Sequence, residues 1–379
     1  MSDLEFFFVV LAAFYLWECA GWVSIGGMAL VRWWGRWSFL AQPVGNHRGG
    51  FVLAQPFPPL GSLHVLAPLP VSLSPEGVLA YVATTTSRSG RPFQTGRFVA
   101  WNEIQSVAAR RKVIRVNGAR MVTTPSTTYA RWLANELQTL AKLQPEQRPK
   151  AIQQFIQARF DESRIRQLTT SLADRLQPVR WLANLLLVVV FVVAPLVIWS
   201  RGLVSTWHFL LAGTFLTSGA LAVLFWRAHR EFFPSAEDER FSHGLMIALF
   251  PAAAIRAGDA LSRPLLETFH PLAAALGLCH PTEFKQLARR LLLDMEHPAL
   301  PLPTAHDPKL AALELWSRGA TLEAARALVQ RGGLNHAELT CPPVPAEACC
   351  RAYCPRCHAQ FIIIEATCGD CGRMPVVQF

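Results

Sequence analysis

The 379 residues predict a multi-domain α+β integral membrane protein with three transmembrane helices, a small sheet closed by a helix, a helical region and a metal-held tail. Three observations carry that reading. First, three long apolar stretches stand in a chain that is 51% hydrophobic and only 16% charged, with a mean hydropathy of +0.25. Soluble domains carry about 25% charged residues, so this composition excludes a disordered chain and an ordinary soluble enzyme. Second, short alternating runs and turn signals fill the region after the first stretch. Third, seven of the nine cysteines fall in the last 39 residues, an odd and end-loaded set that does not read as a disulfide framework.

Residues 6–31, 181–199 and 207–226 are the predicted spans. About 20 residues at 1.5 Å each cross a bilayer core. Trp181, Trp199, Trp207 and Trp226 mark the ends of the second and third, as an aromatic belt requires. Basic residues set the orientation. Residues 32–180 hold 20 Lys/Arg against 7 Asp/Glu, whereas Asp3 and Glu5 precede the first span and only Arg201 separates the other two. The positive-inside rule then puts the N-terminus outside and residues 32–180 and 227–379 in the cytoplasm. A cleaved signal peptide fits less well, because its basic n-region and small-residue cleavage site are missing from residues 1–31.

Glu18 is an ionisable group inside the first span, a functional feature by default. Thr214, Thr217 and Ser218 share one face of the third span, where Gly213 and Gly219 permit close helix approach. A protonated Glu18 packed against such hydroxyls is preferred over a transport role, because no second buried charge completes a pathway. Pro195 reads as a kink in the second span.

Residues 51–145 read as strands closed by a helix. The turn Pro75-Glu-Gly77 precedes a strand from Val78, and residues 98–101 and 112–116 resume the pattern. Asn117-Gly118 is a strong hairpin signal. A helix begins at Ser126, with Tyr129, Leu133, Leu137 and Leu140 on one face. Together these elements predict a small half-open barrel. The order "VSLSPEGVLAYV", "FVAWNEIQSV", "KVIRVNG", "TTYARWLANELQTL" resembles the bacterial PH-like domains found beside membrane spans, over about residues 65–143. That fold serves many purposes, so the resemblance does not assign lipid binding. Arg88, Arg91 and Arg97 flank a polar loop, and Arg110, Arg111 and Lys112 cluster at a strand start. Each basic group near an anionic leaflet gains about 1 kcal/mol. Two readings stand with equal weight: a lipid-facing surface, or the ordinary basic excess of a cytoplasmic segment. Nucleic acid is disfavoured, for no helix-turn-helix or RNP pattern accompanies the cluster.

Residues 146–180 read as a solvated helical connector and residues 235–340 as a helical region. The acids after Ser235, the helix from Pro281 with Phe284, Leu287, Leu291 and Leu292, and a short helix over 321–331 stopped by Gly332-Gly333 fit helix-boundary rules. The apolar run 243–255 is too short to span and suits a buried or interfacial segment. His270, His280, His297 and His306 share no helix-face spacing, and no nucleophile elbow, P-loop or dinucleotide motif occurs.

The tail carries the sharpest pattern. Cys354-x2-Cys357 and Cys368-x2-Cys371 are two knuckles ten residues apart, the donor set of a tetrahedral zinc site. Pro355 favours a turn, and "FIIIE" between the knuckles is expected as a strand. Residues 350–379 resemble the short zinc ribbons of bacterial proteins, with His358 where such ribbons often carry Gly. Four thiolates close the coordination sphere, so the zinc is structural. Thiolates kept free for metal need a reducing compartment, in independent agreement with a cytoplasmic tail. Cys349 and Cys350 are read as free thiols.

Three functional classes follow. A binding or scaffold protein anchored in a bacterial cytoplasmic membrane, with a protein or membrane lipid as partner, is preferred because two binding-type modules occur without catalytic motifs. A membrane enzyme using Glu18, Asp259, Glu267 or His270, and a nucleic-acid tether, are the alternatives.

Overall fold

The computed structural model describes residues 2–21, 27–33, 36–44, 61–66, 69–84, 93–124, 126–234, 236–297, 307–371 and 374–379. Two compact units interleave along the chain, residues 1–66 with 163–268 and residues 67–162 with 269–379. In chain order, the first unit opens with α1 (Asp3–Gly21), β1 (Gly27–Trp33), β2 (Arg36–Val44) and β3 (Gly61–Leu66). The second opens with β4 (Val71–Leu73), β5 (Gly77–Thr84), β6 (Phe93–Ala100), β7 (Val107–Arg110), β8 (Val113–Val116), β9 (Ala119–Thr123), α2 (Thr127–Lys142) and α3 (Arg148–Ala158). The first resumes with α4 (Glu162–Arg175), α5 (Gln177–Val188), α6 (Ala194–Arg201), α7 (Leu203–Phe232), α8 (Glu237–Leu249), α9 (Pro251–Ile255) and α10 (Ala257–Leu266). The second ends with α11 (Pro271–Leu278), α12 (Pro281–Glu296), α13 (Pro308–Arg331), α14 (His336–Thr340) and the short strands β10 (Ala352–Tyr353), β11 (Gln360–Phe361), β12 (Thr367–Cys368), β13 (Met374–Pro375) and β14 (Val377–Gln378).

Among the described residues two helices, not three, are long and apolar enough to cross a membrane: Gln177–Arg201 and Leu203–Phe232. The predicted span over 6–31 is divided. Its first part is α1, and its end is β1, the central strand of the antiparallel sheet β2-β1-β3. A π-helical turn, Val189–Val193, joins α5 to α6, where Pro195 has no N–H to offer the preceding turn. The unit packs on one stripe of α7. Leu221 and Phe225 are buried with Val179, Ala183, Leu186, Ile247 and Ala254. Much of the opposite side of α7 is exposed, with Phe209 77% and Leu216 76% exposed. Asp3 accepts the Leu203 N–H at 2.9 Å, a carboxylate at the positive end of α7. Arg240 fastens the turn into α8 by donating to Phe233 O and Pro234 O.

The strands of the second unit do not close into the expected barrel. Among the described residues, strands β4–β9 form two separate antiparallel sheets, β4-β5-β6 and β7-β8-β9. The local expectations hold within that arrangement. Ser74 accepts the Gly77 N–H, and the Trp101 indole donates to Ser74 O at 2.8 Å. Asn117 and Gly118 both have positive φ, as a two-residue hairpin turn requires. Asn117 locks that turn from its side chain, accepting from Gln105 and Ser106 N–H and donating to Glu103 O. Ser126 caps α2 by accepting the Tyr129 N–H, and Tyr129, Leu133, Leu137 and Leu140 are all buried.

The stretch read as a solvated connector instead buries a face. Ile152, Ile156 and Phe160 are in the interior, and α3 and α4 are separate helices. The helix over 321–331 is the end of the longer α13, capped by Asp307. Gly332 follows it because a Cβ there would lie 2.6 Å from the Phe284 ring. Glu296 of α12 accepts from Arg326 at 2.7 Å and lies 2.6 Å from His336 Nε2, joining α12 to α13 and α14.

Trp101 is 1% exposed and its N–H is satisfied. Trp101→Ala should destabilise the second unit by about 3–5 kcal/mol. Trp101→Phe should cost only about 1–3 kcal/mol, the price of an unpaired buried carbonyl. Denaturant unfolding of the detergent-solubilised chain checks this, and equal costs for the two variants would refute it.

Candidate metal centre

The sulfurs of Cys354, Cys357, Cys368 and Cys371 all lie within 4.8 Å of one another, and the described cysteines form no disulfide. Cys357 Sγ and Cys368 Sγ are 3.6 Å apart. A tetrahedral thiolate site with metal–sulfur bonds of about 2.3 Å sets its sulfurs about 3.8 Å apart. A disulfide would bring them to about 2.05 Å. The spacing therefore fits four ligands around one ion, with no fifth group needed to complete the sphere.

The fold supplies this geometry with very little regular structure. Cys354 follows β10, which pairs with β11 and β14, and Cys368 ends β12, which pairs with β13. In the first knuckle Cys354 N–H donates to Ala359 O at 2.8 Å and His358 N–H donates to Cys354 O at 2.9 Å. Burial raises the Cys354 thiol, but backbone N–H groups of Cys357 and Arg356 aimed at its sulfur outweigh that and hold it below its usual value. Such N–H donors stabilise a thiolate. His358 takes φ +62°, the left-handed conformation that glycine adopts freely, so the departure from the ribbon pattern sits where Gly is physically preferred. Its Nδ1 instead meets Arg289 Nη2 of α12 at 2.7 Å. Arg356 Nε donates to Asp294, also on α12, at 2.7 Å. The knuckle is thus docked on α12 by two contacts.

The expected "FIIIE" strand is corrected to two residues, Gln360–Phe361. Ile362 and Ile363 lie beyond it and are exposed. Cys349 and Cys350 lie outside the four-sulfur cluster.

The other predicted residues are dispersed. Glu18 falls on α1, with its side chain outside the described residues. Arg88 and Arg91 also lie outside them. Arg97 is exposed on β6 and donates to Arg120 O, while Arg110, Arg111 and Lys112 are exposed at the turn from β7 to β8. Asp259 and Glu267 are buried in the first unit and His270 in the second.

Sequence reasoning missed a cavity of about 370 Å³ in the second unit, lined by Arg159, His270, Asp294, Glu314, Ser317 and Thr321 among others. His270 caps α11 by accepting the Leu272 N–H on Nδ1, which leaves the ring proton on Nε2. Burial, with the Arg159 charge second, lowers its pKa to about 3. This ring presents a donor, not a general base. Cys279 is no nucleophile either, since burial and then Glu283 push its thiol up to about 12. Comparison with protein-family models, curated proteins and solved structures finds no match to this chain.

The purified chain should carry about one tightly held metal ion, measured by elemental mass spectrometry. Cys368→Ser should lower that content sharply, and His358→Gly should leave it unchanged. Loss of metal in the glycine variant would make His358 a ligand.

His270 also predicts a pH slope. The unfolded imidazole takes up a proton near pH 6.5, which the folded one refuses until about pH 3. Its contribution to stability is therefore full above pH 6.5 and declines on acidification, by up to about 1.4 kcal/mol per pH unit. His270→Asn, which retains a capping acceptor, should flatten that slope between pH 6.5 and 4. Parallel unfolding profiles for wild type and variant would refute it.

Proposed function

We propose that this chain is a binding protein anchored in a bacterial cytoplasmic membrane, which presents a PH-like module and a zinc ribbon to a cytoplasmic protein or lipid partner. The observation that carries this reading is the closed set of four thiolates in a tail of two-residue strands. A closed site folds a module rather than activating water. The two long helices support the anchor, since their apolar faces are largely uncovered. The positive-inside bias supports a cytoplasmic location for residues 32–180 and 227–379. The Asp3–Leu203 contact supports an N-terminus at the same, outer end as the turn at Gly202.

A membrane enzyme is the second reading, and the cavity beside His270 favours it. The protonation of that ring counts against acid–base chemistry there.

A crosslinked pull-down from native membranes should capture a protein partner with wild type and lose it with a membrane-inserted Cys368→Ser, Cys371→Ser variant. Absence of any specific partner in both samples would overturn the adapter reading.

A further inference from the structure

We propose that the groove between α7 and α8 binds the headgroup of an anionic glycerophospholipid. The proposal rests on the membrane reading above and adds to it a site, a ligand class and two residues. The groove encloses about 410 Å³ and is lined by Ala222, Val223, Trp226, Arg227, Arg230 and Gly244. Its volume lies within the range of about 300–1,000 Å³ typical of small-ligand sites.

The lining is graded along α7. Ala222 and Val223 make one end apolar, and Arg227 and Arg230, a turn or two further on, make the other end cationic. A glycerophospholipid has the same grading, from acyl esters to phosphate. Gly244 opens the groove: a Cβ there would lie 3.3 Å from the Trp226 ring. Trp226 forms the wall between this groove and a second one that holds Glu237 and Asp238, so these acids line a separate depression. Arg240 stacks over the same indole, 5.7 Å from its centre, and holds it in place. Among the described residues neither Arg227 nor Arg230 forms an ion pair or a side-chain hydrogen bond, and both are exposed. Two unpaired guanidiniums at the end of an apolar helix supply charge for a phosphate, which Arg binds bidentately.

The surface around the groove commits the ligand to a lipid rather than a free phosphate ester. Phe241, Leu245 and Leu249 are spaced i, i+4 and i+8 on α8 and are 63%, 49% and 51% exposed. They continue the uncovered apolar surface of α7, where Val223 is 54% exposed. The acids Glu237 and Asp238 stand at the start of α8, in its first turn. A 13-residue helix of this pattern is too short to span and lies at the interface, with apolar groups toward the acyl chains. The arginines are then at headgroup depth, as for basic residues that flank a span.

The test uses the full chain, reconstituted into nanodiscs of equal phosphatidylglycerol and phosphatidylcholine and released for native mass spectrometry. Wild type should retain phosphatidylglycerol over phosphatidylcholine by roughly thirtyfold, and Arg227→Gln, Arg230→Gln should bring the ratio near parity, at about 1 kcal/mol per arginine. Both positions are exposed, so this variant should fold normally. Gly244→Leu should block retention without changing charge. Wild-type parity, or undiminished preference in the double-glutamine variant, overturns the site. Extraction of the wild-type chain from native membranes by alkaline carbonate alone would instead overturn the anchor itself.

Discussion

The first unit depends on the disposal of apolar surface along one helix. At 30 residues α7 is about 45 Å long, more than the roughly 30 Å of a bilayer core. Protein neighbours bury the stripe that carries Ser218, Leu221, Phe225 and His229, and Thr206 near the start of the helix. The opposite side, with Phe209 and Leu216, is mostly exposed among the described residues. A monomer in water rarely leaves a contiguous apolar patch beyond a few hundred Å². A hydrocarbon solvent would remove that penalty and would also account for α8, whose own outer face is apolar although its first turn is acidic. The same requirement makes the polar details of the helix ends intelligible. Asp3 meets the exposed N–H of Leu203, and Arg240 satisfies the carbonyls of Phe233 and Pro234. Backbone groups left unpaired at such depths are costly.

The second unit solves a different problem. Its sheets and α2 bury a conventional core, around Trp101, Tyr129 and Leu133. The cysteine tail has no such core: Ala359, Phe361 and Met374 are the hydrophobic groups packed around the sulfurs. Its ion pair to α12, Arg356–Asp294, is partly exposed, and exposed pairs contribute only about 0–1 kcal/mol. Structural zinc in small modules contributes about 10–16 kcal/mol. A metal held by the four sulfurs would outweigh these contacts in folding the tail, while the contacts to α12 set how its first knuckle is oriented.

Legibility followed locality. Asn117-Gly118, the α2 face and the two CxxC knuckles were readable because each depends on residues within a few positions, and each holds in the structure. The first span failed because an apolar β-strand and the end of an apolar helix look alike in composition. The barrel failed because strand count and order do not specify how two three-stranded sheets meet. The cavity joins Arg159, His270 and Glu314, which are separated by 44 or more positions, and no local pattern encodes that. The α7–α8 groove was half legible. The basic end of the span was visible, but the role of Gly244 required Trp226 beside it.

His358 ties the local and the global arguments together. A residue with a Cβ in the left-handed region costs roughly 1–2 kcal/mol, and glycine would remove that cost. Retaining histidine there makes sense only if its side chain returns something that glycine cannot. The structure supplies one such return, the 2.7 Å contact from Arg289 of α12 to Nδ1, with Tyr353 packed edge-on against the ring. Both docking contacts, His358 and Arg356, flank Cys357 in the first knuckle. A metal held at this knuckle would therefore also brace the two side chains that attach the tail to α12.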